Sequence, residues 1–284
     1  MDGNVLTRIK ENYSEFSKSQ KMIADYIMLN FDKAANMTAS KLAEIVSVSE
    51  STVVRFATEL GYLGYPEFID SLLDYLRSES TIIKRMESIS LTLENQDILT
   101  TVINSDIDNL KMSLAKVNRE DFNNAVNSIL SAKKIYILGV RSSSCLASFA
   151  GFYFNLLFDN VRLVNTNSVS EMFEQILRVS EGDVVFGISF PRYSKRTVKA
   201  LEFAKSRGAT IVSLTDTKKS PLVPFTDHLI TANSEMVSFV DSLVAPISML
   251  NALIAAIVLK KKDEVTNTFE ELENIWEEYE VYDK

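Results

Sequence analysis

The spacing of apolar residues divides the chain into two regions. Over residues 1–77, apolar side chains recur at helical spacing, first around Ile23 and again from Leu42 onward, with almost no strand-like alternation. Gly61 and Gly64 each follow a periodic run, at the point where a helix would end. This pattern predicts an all-helical first domain over residues 1–77.

The second region alternates short apolar runs with helical patterns. The predicted strands are almost wholly apolar and lie at Ile135–Leu138, Val161–Val164, Asp183–Ile188, Thr210–Leu214 and His228–Thr231. Helices are predicted between most of them, at Ser144–Phe158, Val169–Val179 and Lys195–Arg207. Because strands that alternate with helices form βαβ units, the sequence predicts a three-layer α/β domain with a five-stranded parallel sheet.

Other segments complete the predicted organisation. Residues 78–95 mix charged residues with Ser and Thr at weak periodicity, which favours a linker. The α/β domain then spans residues 96–262. Its predicted flanking helices are Asp97–Val117, Arg119–Ala132 and Ser242–Leu259, the last expected in the core or at a dimer contact.

The last segment, residues 263–284, predicts an acidic helix. Its apolar residues fall at helical spacing and form a stripe: Phe269, Leu272, Ile275, Trp276 and Tyr279. We therefore expect this helix to dock by that stripe and to keep its acidic side chains in water.

The net charge is unevenly distributed along the chain, and this affects which partners are expected. The net charge of −8 argues, taken whole, against a nucleic-acid binder. Residues 263–284, however, carry nine acids and one base, so residues 1–262 are neutral. The first domain, with 8 bases and 11 acids, is mildly acidic. We therefore expect any DNA binding to need a dimer and to weaken steeply with salt.

Composition also excludes several classes of protein. A chain of 284 residues is long enough for two domains. A single cysteine, Cys145, excludes an internal disulfide and a CxxC motif, and a single histidine, His228, excludes His-based metal clusters. We see no signal peptide, membrane span, GxGxxG motif or Walker loop. We expect a cytoplasmic protein with no metal, no cofactor and no membrane partner.

The stretch from Ser40 to Gly61 predicts two helices joined by a short turn. Small Ala43 lets a second helix cross closely, Val48 fills the turn, and Ser49 is a suitable N-cap. The second helix presents its polar face near its N-terminal end, as DNA-reading helices do. On spacing alone, a hairpin in a helical bundle fits equally well.

The polar residues of this stretch suit DNA. Arg55 can bind guanine or a phosphate, and short hydroxyls can donate to phosphates or base edges. Tyr62 and Tyr65, beyond the glycine stop, could add contacts to the DNA backbone. The candidate DNA-binding residues are Ser49, Glu50, Ser51, Thr52, Arg55 and Tyr65.

This stretch resembles the N-terminal domain of RpiR-type bacterial transcriptional regulators. The resemblance is carried by Ser-x-x-Thr-Val-x-Arg-Phe at 49–56, Leu-Gly at 60–61 and Gly-Tyr-Pro-x-Phe at 64–68. It implies a helix-turn-helix that binds operator DNA.

Two polar loops follow predicted strands, where ligands bind in open α/β sheets. The first, Gly139–Ser144, places an arginine and three serines before a helix, and the second, Ser189–Thr197, opens a basic segment. Helix N-termini and guanidinium groups favour a phosphorylated or carboxylated ligand. The alternatives are an N-cap with incidental serines and a solvated basic helix face. The candidate effector-binding residues are Arg141, Ser142, Ser143, Ser144, Ser189, Arg192, Ser194 and Thr197.

The two loops resemble those of the sugar-isomerase (SIS) domain, which follows the helix-turn-helix in RpiR-type regulators and binds phosphosugars. The usual Gly-x-Gly-x-Ser corresponds to 139–143, and the usual Ser-x-Ser-Gly-x-Ser/Thr to 189–194. This chain departs from those motifs with Arg141 and Arg192 in place of glycine and Pro191 in place of serine. The resemblance implies a homodimer or a dimer of dimers.

Taken together, the sequence predicts a DNA-binding transcriptional regulator that senses a phosphorylated sugar or related small anion. The alternative is a phosphosugar isomerase or phosphosugar-binding enzyme that carries an extra helical domain. An isomerase needs a positioned base, and Glu171, Glu174 and Glu235 lie in no motif that singles one out. We therefore assign no catalytic residue and expect a protein that is not an enzyme.

Overall fold

The chain forms two units, residues 1–84 and 85–284, each with its own core. The structure is a computed structural model that describes residues 5–35, 37–79, 97–166, 168–236 and 240–282. Of the predicted linker at 78–95, only residues 78 and 79 belong to the described part, where they end a helix. The remaining linker residues lie outside it.

The first unit is helical, as predicted. Its helices are α1 (Val5–Asn12), α2 (Lys18–Leu29), α3 (Phe31–Ala34), α4 (Ala39–Ile45), α5 (Glu50–Glu59) and α6 (Tyr65–Glu79), with a 3-10 turn at Tyr13–Glu15. Short polar side chains set several starts, because each accepts a hydrogen bond from an otherwise unpaired backbone N–H. Ser17 caps α2 in a capping box with Gln20, and Thr38 caps α4.

Aromatic rings fill the core of the first unit. The Phe56 ring lies 5.1 Å from Phe16 and 6.0 Å from Phe68, measured between centroids, in tilted and edge-on arrangements. Phe56 and Phe68 are fully buried. Aromatic pairs in this geometry add stability beyond their buried area, so α5 is held firmly by its apolar face.

The second unit contains a five-stranded parallel sheet, which confirms the predicted fold class. Its strands are β1 (Ile135–Gly139), β2 (Val161–Val164), β3 (Val184–Ile188), β4 (Thr210–Thr215) and β5 (His228–Thr231). The order across the sheet is β2-β1-β3-β4-β5, with all neighbours parallel. Strand β2 lies on one side of β1, and β3, β4 and β5 follow one another on its other side. The strand order therefore reverses between β1 and β3.

Helices cover both faces of this sheet. They are α7 (Ile98–Lys116), α8 (Arg119–Leu130), α9 (Ser143–Leu157), α10 (Val169–Ile176), α11 (Lys195–Ser206), α12 (Val244–Lys260) and α13 (Lys262–Glu278). One core joins the sheet to α8, α9 and α12, and a second joins it to α10 and α11. Every predicted strand and helix of this domain is present.

A buried polar cluster fastens α7 to the chain that follows β5. Asn109 is almost fully buried; its Nδ2 donates to the Glu235 carbonyl at 2.9 Å, and its Oδ1 accepts from the Glu235 N–H at 3.0 Å. The Ser113 hydroxyl accepts from the Asn233 N–H at 2.7 Å. Side chains therefore replace a strand as the partner of this backbone.

Helix α13 docks less completely than the sequence predicts. Val265 is buried and Phe269 half-buried, but Ile275 is 43% exposed and Tyr279 72% exposed. Leu272 and Trp276 are partly buried, so the stripe is covered in part and not along its whole length. At the corner with α12, Lys261 holds the two helices to the body, because its Nζ donates to the Leu157 carbonyl at 2.9 Å.

Apolar length is limited in each helix that the structure describes. No single helix is long and apolar enough to cross a membrane. Helices α12 and α13 pass the test of length and composition only as a pair, and they meet at 100°.

Candidate functional site

Helices α4 and α5 form a tight helix-turn-helix. The turn is closed by Ser47, whose φ of +55° reverses the chain, and by the Val48 N–H, which donates to the Ala43 carbonyl at 3.0 Å. Ser49 then caps α5, accepting from the Thr52 N–H at 3.2 Å. The two helices pack closely because Ala43 is small and buried.

One face of α5 is exposed near its N-terminus. Glu50, Ser51 and Arg55 are exposed and Thr52 is partly so, while Val53 is fully buried on the opposite face. The Arg55 Nε donates to the Ser51 carbonyl at 3.3 Å. The guanidinium is therefore held along the helix, with its remaining N–H groups available at the surface.

Ser49 is also exposed, and its hydroxyl links the first turn of the helix. It lies 2.9 Å from the Ser51 hydroxyl and 2.7 Å from that of Thr52. Each hydroxyl has both a donor and acceptor capacity. These three side chains form one short hydrogen-bonded set at the exposed end of α5.

Tyr65 does not belong to this exposed surface, which corrects the prediction that it contacts DNA. The residue is buried, and its phenol donates to the Met37 carbonyl at 3.0 Å. Burial raises the pKa of Tyr65 to about 12. Tyr62 is buried as well, with its hydroxyl 3.1 Å from that of Ser71. Both rings pack against the Phe68 ring in the core.

The first candidate anion loop connects β1 to α9. Arg141 has a left-handed backbone, with a φ of +58°, and α9 begins at Ser143. The three serines differ in their surroundings. Ser144 donates its hydroxyl to the Arg141 carbonyl at 2.6 Å, Ser143 is buried, and Ser142 is exposed and makes no capping hydrogen bond with its side chain.

The second candidate loop connects β3 to α11. Arg192 also has a left-handed backbone, with a φ of +63°. The buried Ser189 hydroxyl accepts from the Ser194 N–H at 3.3 Å, and the Ser194 hydroxyl accepts from the Arg196 N–H at 3.3 Å. Ser189 therefore shapes the loop, and Ser194 caps the helix.

Thr197 lies in the first turn of α11, directly after this loop. It is fully buried, and its hydroxyl has no hydrogen-bond partner among the residues that the structure describes. Direct contact between Thr197 and a ligand stays a prediction, and it requires this buried hydroxyl to become accessible.

Sequence reasoning did not assign a site role to Asp216, which holds the second loop in place. Its Oδ1 accepts a hydrogen bond of 2.7 Å from the Tyr193 phenol. Asp216 directly follows β4, so its position at a strand end was the available signal.

The register of the sheet brings the two loops to one place. Gly139 at the end of β1 is the direct partner of Ile188 at the end of β3. Ligands in open α/β sheets bind at the carboxyl ends of strands where the strand order reverses, and here that point lies between β1 and β3. The loops begin from its two sides.

The chemistry at this edge is favourable for an anion. Two helices begin here, and their unpaired N–H groups and dipoles favour negative charge. Arg141 and Arg192 are exposed beside them. Across the described residues, no group of three or more His, Cys, Asp and Glu side chains is placed to hold a metal ion.

Comparison with known families gives two matches that together cover most of the chain. Residues 3–84 match the family model described as a helix-turn-helix domain of the rpiR family, and residues 128–256 match the SIS domain. The first match contains α1–α6, and the second contains both candidate anion loops.

Relatives of the whole chain are regulators by name. An uncharacterized HTH-type transcriptional regulator of Caldanaerobacter subterraneus is 26% identical over 275 residues, covering 94% of this chain and 95% of that protein. The HTH-type transcriptional regulator HexR of Escherichia coli is 28% identical over 215 residues, covering 75% of this chain and 72% of that protein.

Solved structures share the fold. The Vibrio vulnificus NanR protein, solved in complex with ManNAc-6P, aligns with a TM-score of 0.59 at 23% identity, covering 96% of this chain and 98% of that one. The sugar isomerase domain of the RpiR transcription factor from Sphaerobacter thermophilus aligns with a TM-score of 0.59 at 26% identity, covering 63% of this chain and 99% of that one.

Proposed function

Because the chain belongs to the RpiR family of helix-turn-helix transcriptional regulators with a SIS domain, we propose that a small phosphorylated ligand bound to its second unit alters operator binding by its first. The observation that carries this proposal is the presence, in one chain, of an exposed helix-turn-helix face and of a strand edge where two helices begin beside two exposed arginines. The protein is a DNA-binding regulator, and the location of each contact is the proposal.

The proposed DNA contacts lie on the exposed end of α5. Arg55 supplies the charge that binds a guanine edge or a phosphate, and the hydroxyls of Ser51 and Thr52 donate to phosphates or bases. Ser49 fixes the start of the helix, and Glu50 can accept from a cytosine amino group. Tyr65 is left out of this set because its phenol is bonded in the core.

The proposed effector site lies on the edge between β1 and β3. Arg141 and Arg192 supply charge, and the hydroxyls of Ser142 and Ser194, with the first N–H groups of α9 and α11, supply hydrogen bonds to a phosphate. The four remaining residues of the predicted set are not included in these contacts: Ser144 and Ser189 are hydrogen-bonded within the loops, and Ser143 and Thr197 are buried. The NanR protein was solved in complex with ManNAc-6P, a sugar phosphate, and this supports the same class of ligand here.

We further propose that the regulator works as a homodimer in the cytoplasm. Two recognition helices one helical turn of DNA apart read paired half-sites, and the first domain alone has little positive charge to bind DNA as a monomer. Apolar side chains that stay exposed on α7, including Leu99 and Ile103, favour contact with a second copy.

The enzyme alternative has weaker support. A catalytic base must reach the proton that it removes. Glu235 is held by its backbone in the cluster around Asn109, and the Glu171 carboxylate accepts from the Thr166 hydroxyl. We therefore propose that the second unit binds its ligand without converting it, as the names of the whole-chain relatives suggest.

The test uses the full chain. Operator fragments are selected from random DNA by the protein itself, and their affinity is measured by fluorescence anisotropy with and without a panel of sugar phosphates. We expect at least one sugar phosphate to raise the melting temperature and to change operator affinity by about tenfold. Selection of no sequence would contradict DNA recognition. Turnover of the bound sugar phosphate, followed by NMR, would favour the isomerase.

A further inference from the structure

Two arginines at the proposed effector site have a backbone conformation that normally belongs to glycine. Arg141 and Arg192 have φ angles of +58° and +63°. Side chains with a Cβ rarely adopt this region, and glycine does so freely. The chain therefore keeps the loop shape of a glycine at both positions while adding a guanidinium group.

Neither guanidinium group is used to hold the fold together. Both residues are exposed, and within the described part of the chain neither side chain has a hydrogen bond or an ion pair. A strained backbone that persists without supporting the fold points to a role in binding.

The two loops also place positive charge where it destabilises a helix. Residues 139–144 and 189–197 contain four bases and no acid, and Lys195 and Arg196 lie in the first turn of α11. Cations are unfavourable at that end of a helix, where the dipole is positive. The positive charge of the two loops therefore does not stabilise the fold.

The amount of charge indicates what the ligand must carry. Two guanidinium groups and two helix N-termini, each N-terminus equivalent to about half a charge, sum to roughly three positive charges. Lys195 and Arg196 add two more and Asp216, which is bonded to Tyr193, removes one, so this edge carries roughly four. One phosphate group supplies at most two negative charges. Within the loops there is no carboxylate or carboxamide side chain to accept from the hydroxyls of a neutral sugar, and the neighbouring Asp216 carboxylate already accepts from the Tyr193 phenol.

We propose that the effector is a sugar phosphate with a second anionic group, and that Arg141 and Arg192 select for that group. This inference rests on the proposed function and specifies its ligand class. The second group is a carboxylate, as in a phosphorylated sugar acid, or a second phosphate, since a guanidinium fork binds both.

The experiment compares matched pairs of ligands on the full-length protein by titration calorimetry. Each pair differs only in the second anion: glucitol 6-phosphate against 6-phosphogluconate, both open-chain, fructose 6-phosphate against fructose 1,6-bisphosphate, and further pairs of alditol phosphates and the corresponding sugar acids. We expect one arm to show a preference of about tenfold or more for the ligand with two anionic groups. The arm that does so distinguishes carboxylate from phosphate.

Variants then test whether the arginines cause the preference. In the double variant R141G/R192G the preference should fall to less than about threefold, while K199A, which removes an exposed base from α11, should retain it. The variant R141N/R192N repeats the test with a residue that tolerates a left-handed backbone, and circular dichroism confirms that each variant is folded.

The outcomes separate this inference from the function on which it rests. If monophosphates bind as tightly as their partners, or if the preference survives in both double variants, the selection of a second anion is wrong and sugar-phosphate sensing stands. If neither inorganic phosphate nor any sugar phosphate binds, the effector site itself is wrong and this inference falls with it.

Discussion

Gly139 lies so close to the start of α9 that a Cβ on it would stand 2.5 Å from the Ser143 carbonyl oxygen and 3.0 Å from the Ala147 Cβ. The end of β1, which supplies one side of the proposed effector site, therefore packs directly against the backbone of the first turn of α9. A glycine is needed at the strand end for this reason of space, and its φ is not left-handed.

The variant G139A tests this close approach. The added methyl group must push the first turn of α9 away from β1, because the atom it meets is backbone and cannot rotate aside. We expect a loss of about 2 kcal/mol in the free energy of unfolding, measured by urea denaturation, and weaker effector binding by calorimetry.

G151A is the matched control. Its Cβ would meet only the Leu163 side chain at 3.4 Å or more, and alanine favours a helix over glycine by about 1 kcal/mol. We expect G151A to be as stable as the natural protein or more so. A G139A protein with unchanged stability and affinity would show that the contact is not restrictive.

Replacing the left-handed arginines should stabilise the second unit. Because glycine releases the cost of the conformation, about 1 kcal/mol per residue before its own entropy cost, R141G and R192G should each raise the melting temperature. R141K and R192K keep both the charge and the strained backbone, so we expect no increase. Equal melting temperatures for the glycine and lysine variants would exclude strain at these positions.

Arg55 should contribute to operator affinity through charge. If the guanidinium reads a base, we expect R55A to weaken operator binding by about 1–3 kcal/mol. If it binds a phosphate, we expect the slope of log affinity against log salt to drop by about 1 in R55A. Fluorescence anisotropy over a salt series measures both. K199A removes one charge outside the helix-turn-helix and should leave both values unchanged. The assignment of α5 as the recognition helix is wrong if R55A behaves like K199A.

The outlines of the fold were readable from the sequence because local patterns and tertiary packing agree. The runs at 161–164 and 228–231 are bounded by turn residues, and the strands begin and end where predicted. The apolar face of α5 was also predictable, since Val53 and Phe56 recur at helical spacing and both are buried.

Other features depended on contacts that no local pattern encodes. Tyr65 directly follows Gly64, beyond the predicted helix end, but packing against Phe68 takes it into the core. The departure of Arg141 from the family motif was visible, whereas its left-handed backbone was not. The docking of α13 was overestimated, because a stripe at helical spacing does not say how far along the helix the body extends.

The cluster around Asn109 should be sensitive to substitution. In N109A the Glu235 N–H and the Asn233 side chain lose an acceptor in a part-buried setting, and polar groups that lose their partner away from water cost about 1–2 kcal/mol. Asn104 lies on the same helix but is exposed, so N104A should have little effect. Urea denaturation of the two variants measures the difference, and equal losses would show that the cluster does not fasten α7.

Tyr65 gives the first unit a dependence on alkaline pH. Its phenol has a pKa of about 12 in the folded chain against an ordinary value of 10.0, so the unfolded chain releases the proton first as the pH rises. The stability linked to this group is fully present below pH 10 and is lost between pH 10 and about 12.

The variant Y65F tests this dependence. It lacks the hydrogen bond to Met37, at a cost of about 1 kcal/mol near neutral pH, but it also lacks the group whose ionisation lowers stability at alkaline pH. The stability advantage of the natural protein over Y65F should therefore shrink above pH 10, in urea denaturation followed by circular dichroism. An advantage that stays constant up to pH 12 would show that the phenol is not shielded from water as the structure describes.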